Sequence, residues 1–162
     1  MRTLQRLVLA SVVILAGTAM AAAAEDVLPP RRKGPLLRWL QALTYRQTYV
    51  AEATVHPSVP AHGFNVRVYF SPGLVADLRA GRPRFRKGAA MVKELYFQGT
   101  EDVVGWSVMR KLRRRSGGRG TGWLFYETLD GRNRGAFFGR GIGVCTGCHA
   151  AGTDYLLSSF RP

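Results

Sequence analysis

Cysteine is almost missing from this chain. Two occur in 162 residues, and both fall in one pentad, Cys145-Thr146-Gly147-Cys148-His149. That scarcity excludes a disulfide framework. A bridge across two intervening residues would close a tiny loop and add little stability. The pair therefore reads as chemical rather than structural. Long apolar runs are missing too. The run at 7–16 is shorter than the roughly 20 residues that a bilayer crossing needs. Acidic residues are few, 10 against 24 basic ones, and the formal net charge is +14. A basic surface attracts anionic partners such as acidic redox proteins, lipid head groups or nucleic acid. No internal repeat is visible, and an apolar fraction of 46% suits one small globular domain.

The chain opens on a leader pattern. Arg2 and Arg6 form a positive start, the short apolar run follows, and Ala22-Ala23-Ala24 offers a small-residue cleavage site. Residues 1–24 are read as a cleaved secretory signal peptide, with Glu25 as the mature N-terminus. Export would place the protein in the periplasm, where nucleic acid is a poor candidate partner.

Residues 25–63 read as an N-terminal lead-in and helix. Pro29-Pro30 and three basic residues make 25–34 a flexible stretch. Leu36, Leu37, Leu40 and Leu43 recur at helical spacing and predict an amphipathic helix over about 35–47. Pro57, Pro60 and Gly63 mark 51–63 as a loop. Residues 64–162 form the main domain. Alternation predicts strands at about 64–70, 89–97, 103–112 and 122–129. A helix over 72–80 is capped by Ser71 and stopped by Gly81. Short links between consecutive strands favour an antiparallel sheet, so the fold class is α+β, mainly sheet with flanking short helices. The cysteine pentad sits on a last short helix.

The pentad matches C-x-x-C-H, the attachment sequence for c-type haem. Two thiols on adjacent helical turns can add to the two vinyl groups on one porphyrin edge. The following imidazole, His149, then projects toward the iron. The expected cofactor is one covalent haem c, bound by Cys145 and Cys148, with His149 as metal ligand. A thioredoxin-like dithiol expects a βαβ setting, which the pattern lacks. A structural zinc site needs four ligands, so His56 and His62 would have to join the thiols from a loop. Either histidine could also be a distal ligand; both read as ordinary loop residues.

One lysine stands out. Alternation over 89–97 puts Met91, Lys93, Leu95 and Phe97 on one face of the strand, and Val92, Glu94 and Tyr96 on the other. Lys93 either snorkels to solvent or points into a pocket, where burial would lower its pKa and free a nucleophilic amine. Glu127 groups with Trp123 and Phe125 and is either pocket-facing or paired with an arginine. Met109 shares its side with Ser107 and Lys111 and reads as structural, although a methionine there could give a plain electron carrier its sixth ligand.

From residue 64 to about 160 the chain resembles the cytochrome P-460 family of sheet-rich mono-haem c-type cytochromes, which has cytochrome c prime-beta as a relative. The resemblance rests on ordered blocks: Val66-Arg67-Val68-Tyr69-Phe70-Ser71-Pro72, Met91-Val92-Lys93-Glu94-Leu95-Tyr96, Gly105-Trp106-Ser107-Val108-Met109, and Gly122-Trp123-Leu124-Phe125-Tyr126-Glu127. The pentad running on through Ala150-Ala151-Gly152 into Asp154-Tyr155-Leu156 completes it. The resemblance implies an antiparallel sheet, usually a homodimer, and a five-coordinate haem. It also implies that Lys93 bonds covalently to the macrocycle. The family's best-known activity is hydroxylamine oxidation; its relatives bind nitric oxide and other small gases. The implied partners are a small nitrogen species or gas and an electron-transfer protein, which the basic surface suggests is acidic.

Overall fold

The computed structural model describes residues 27–58 and 62–162; the leader read at 1–24 lies outside them. The chain runs α1 (Lys33–Gln41), a 3₁₀ turn (Thr44–Gln47), β1 (Val50–Ala51), β2 (His56–Pro57), β3 (Asn65–Phe70), α2 (Pro72–Arg79), β4 (Ala90–Tyr96), β5 (Val103–Lys111), β6 (Trp123–Thr128), β7 (Phe137–Arg140) and α3 (Gly143–His149). All strand pairs are antiparallel. The sheet order is β1-β3-β4-β5-β6-β7, with β2 also pairing with β3. The fold is therefore α+β, an antiparallel sheet with three short helices. Among the described residues no helix is long and apolar enough to cross a membrane.

The sheet is covered on both faces, which explains why its central strands are apolar on both parities. On one face, Leu36, Leu37 and Leu40 of α1, with Tyr45 and Tyr49, pack on Tyr69, Val92, Trp106, Val108 and Tyr126. Glu94 is fully buried there. It accepts from the Tyr45 and Tyr96 hydroxyls and from Arg46 Nε at 2.7 Å. Trp106 Nε1 donates to the Tyr45 hydroxyl at 3.0 Å. The polar cluster ties the 3₁₀ turn to the sheet. On the other face, Leu74 and Val75 of α2 pack with Val68, Phe70, Met91, Met109, Trp123 and Phe125. Ser71 caps α2 as predicted: its hydroxyl accepts from Leu74 N–H at 3.3 Å and from Ala90 N–H at 3.1 Å. Gly81 follows at φ +59°, a left-handed stop.

Five details differ from the sequence reading. The first helix starts at Lys33 and stops at Gln41, because Leu43 turns left-handed at φ 53° before the 3₁₀ turn. The lead-in is tied down from Val27 onward: Val27 O accepts from the Tyr49 hydroxyl at 2.9 Å, and Pro29 O accepts from Arg110. The 51–63 loop contains β2 and follows the two-residue β1, strands too short to show a period. The strand β7 was not foreseen, since Gly131, Arg132 and Gly135 make its approach read as loop and Phe137 is exposed. Phe97 lies past the end of β4 and is exposed, so it does not share the buried face of Lys93.

Candidate functional site

The seven residues of α3 place Cys145, Cys148 and His149 three and four positions apart, on one side of the helix. Both thiols are free. Cys145 is half-buried and Cys148 is exposed. Burial, with Glu127 and Cys148 nearby, pushes the Cys145 thiol up to about 11. A disulfide oxidoreductase needs its attacking thiol lowered toward neutrality. Cys145 is shifted the opposite way, and α3 follows an antiparallel strand rather than lying in the βαβ setting of a thioredoxin-like dithiol. Among the described residues no group of three His, Cys, Asp or Glu could hold a metal ion by itself. The four-ligand zinc alternative therefore lacks its ligands.

The chain turns sharply after α3. Gly152 N–H donates to His149 O at 3.0 Å. A Cβ on Gly152 would meet Leu156 O at 2.2 Å, so only glycine fits this close approach. Asp154 and Tyr155 follow at φ 49° and 72°, two successive left-handed residues that are not glycine. Asp154 is what holds them. It forms an ion pair with Lys111 at 2.5 Å, accepts from the Ser116 hydroxyl, and accepts from Phe85 N–H at 2.9 Å. Lys111 itself is fully buried over the Trp123 ring.

This strained turn aims the Tyr155 carbonyl at His149, whose Nδ1 lies 3.0 Å away. A carbonyl only accepts, so Nδ1 carries the proton and Nε2 keeps its lone pair. Burial lowers the imidazole below its ordinary pKa, although the Tyr155 hydrogen bond opposes it; Lys93 and His62 lower it further. The ring is neutral and packs edge-on against Phe125 at 5.7 Å. A neutral imidazole with one nitrogen held by a backbone carbonyl is the arrangement a metal-ligating histidine uses. The donor set fits the haem c expected from the pentad: two free thiols and an oriented, unprotonated Nε2.

The sheet brings more chemistry to the same face. Strand register sets Val68, Lys93, Ser107, Glu127 and Phe137 in one row across β3, β4, β5, β6 and β7. Lys93 is partly buried, and among the described residues its ammonium has no hydrogen bond or ion pair. Burial lowers its pKa, while Glu127 and Glu52 pull the other way. Glu127 pairs with His62 rather than with an arginine, Nδ1 to Oε1 at 3.2 Å. Burial alone would raise its carboxyl; His62 first, then Ser107 and Lys93, bring it below the ordinary glutamate value. The Ser107 hydroxyl lies close enough to favour that charge, yet outside hydrogen-bond geometry. His56 bonds Glu52 at 3.0 Å, and Glu52 N–H donates to Val68 O at 2.9 Å at the β3 end of the same row.

Sequence reasoning missed the Tyr155 carbonyl, the Asp154 clamp and the His62–Glu127 pair. The alternation that groups Glu127 with Trp123 and Phe125 was the one available signal for the last. Met109 is buried between Met91 and Phe125, its cross-strand neighbours. In comparisons with known proteins, no family model and no curated protein matches the chain, so its site stands on its own chemistry.

Proposed function

We propose that this chain is a periplasmic c-type cytochrome of the cytochrome P-460 kind, acting on a small nitrogen species, hydroxylamine or nitric oxide, at one covalent haem. The observation that carries the reading is one sheet face: it aligns Lys93 with Glu127, pairs Glu127 with His62 at 3.2 Å, and seats the motif's own imidazole against Phe125 at 5.7 Å. When bound, haem supplies one-electron redox chemistry and a place for a small ligand.

The chain's residues then have separate tasks. Cys145 and Cys148 would hold the haem covalently, and His149 Nε2 would ligate its iron. Tyr155 O keeps that ring in the right tautomer. Lys93, its charge disfavoured by burial, would present its amine to the macrocycle, the position the resemblance implies for it. Glu127, kept ionised at neutral pH, accepts a proton from a substrate N–H or O–H, and His62 Nδ1–H, donating to Oε1, holds the carboxylate in place. Packing of Met109 among Met91 and Phe125 favours this reading over an electron carrier with methionine as sixth ligand.

The deciding experiment is intact mass and optical spectroscopy on protein from the periplasm of cells competent in cytochrome maturation. The expected result is loss of residues 1–24, a mass gain of one haem and a spectrum without a methionine–iron band. A colourless mature protein overturns the proposal. Hydroxylamine-dependent reduction of an electron acceptor would support oxidation; tight nitric oxide binding without turnover would make the protein a gas binder.

A further inference from the structure

Arg82, Pro83, Arg84, Arg114 and Arg115 line a surface cavity of about 580 Å³. Four of its five lining residues are arginines. Arg82 is compensated by Asp77 at 3.2 Å. Arg84, Arg114 and Arg115 have no ion pair or hydrogen bond among the described residues. Nor can the chain supply one from its partly buried acids. Glu52, Asp77, Glu94, Glu127 and Asp154 are each engaged with a basic partner of their own. A concave site lined by one sign of charge focuses its field and gathers oppositely charged partners. Arginine also presents a planar fork that matches carboxylates bidentately.

The cavity's place in the fold says what that partner does. Its two walls are both pinned to Asp154. Arg84 precedes Phe85, whose N–H donates to Asp154 at 2.9 Å, and Arg115 precedes Ser116, whose hydroxyl donates to the same carboxylate. The next residue, Tyr155, holds His149 through its carbonyl at 3.0 Å. From cavity wall to proximal imidazole the route is two hydrogen bonds and a short stretch of chain. We propose that the arginine-lined cavity is the docking site for an acidic electron-transfer protein, which inserts a carboxylate-rich convex patch. This rests on the haem reading above. One electron crosses; one redox centre is oxidised as the other is reduced, and no bond or proton is transferred. A flat anionic membrane could not enter the concavity, so the protein partner is the better fit.

The test compares the full mature protein with Arg84→Gln/Arg114→Gln/Arg115→Gln and with a charge-matched control, Arg31→Gln/Arg32→Gln/Arg134→Gln. An oxidised acidic blue-copper protein serves as redox probe in stopped flow, and poly-L-glutamate as binding probe in calorimetry. The cavity triple should slow electron exchange about tenfold and flatten its salt dependence, while the control stays within about twofold. If the triple does not fold, Arg115→Gln alone should give a partial loss of the same kind. Equal losses in both triples, or none in the cavity triple, overturn the docking site. So does loss of binding to phosphatidylglycerol vesicles with protein exchange unchanged. A colourless chain that still binds poly-L-glutamate through these arginines would sink the haem reading and spare the acidic docking surface. A coloured chain whose exchange ignores them would do the reverse.

Discussion

Two residues control the site without being able to react in it. Asp154 fastens a turn in which two non-glycine residues sit left-handed, and Gly152 makes room for it. The conformation costs energy, and the Lys111 ion pair with its flanking hydrogen bonds offsets that cost. Asp154→Asn should leave Lys111 buried with half its partner, destabilising the fold by about 3–5 kcal/mol in urea titrations. A loss under 1 kcal/mol would show the pair to be incidental. Lys93 is the second test at this scale. On the haem reading proposed above, Lys93→Ala should shift the absorption spectrum while the mass still shows one haem on Cys145 and Cys148. An unchanged spectrum would exclude the macrocycle bond. The sequence pointed to Lys93 by strand parity. It gave no sign of the Tyr155 carbonyl, because a backbone acceptor has no residue type to recognise.

Among the elements, α2 and the pair β4–β5 were legible and the edges of the sheet were not. Ser71-Pro72 announces a helix start by local chemistry alone, and the cap forms as read. Its hydroxyl does a second job that only the fold supplies, satisfying Ala90 N–H at the start of β4. Ser71→Ala should therefore cost more than the ~1 kcal/mol of a lost cap, about 2–3 kcal/mol, since a buried N–H is left unpaired. Thermal and urea melts of the variant measure this. By contrast, β1, β2 and β7 are two to four residues long, and pairing with β3 or β6 makes them strands. Nothing in such short stretches carries a period of its own.

For the whole molecule, charge governs the response to acid. Burial alone would raise the Asp77 carboxyl, but hydrogen bonds and charge from Arg86, then Arg82, hold it below the ordinary carboxylate range. A depressed folded-state pKa means that this contribution is fully present above the unfolded value and is lost as pH falls through the folded one. Stability should thus decline below about pH 4, more steeply as the net positive charge grows. Asp77→Asn should flatten that acid limb in urea midpoints taken from neutral pH downward; an unchanged limb would assign the decline to other groups.

The sequence by itself determined what is local: two thiols and an imidazole on one turn, a capped helix, the alternation of the long strands, and a surplus of arginine. Each follows from spacings within a few residues. Only the tertiary structure decided that Lys93, Ser107 and Glu127 share a row and that His62 meets Glu127. It also decided that three arginines face a cavity clamped to the turn behind His149. Those juxtapositions depend on strand register and loop closure, and packing against both faces of the sheet sets them across separations that no local pattern encodes.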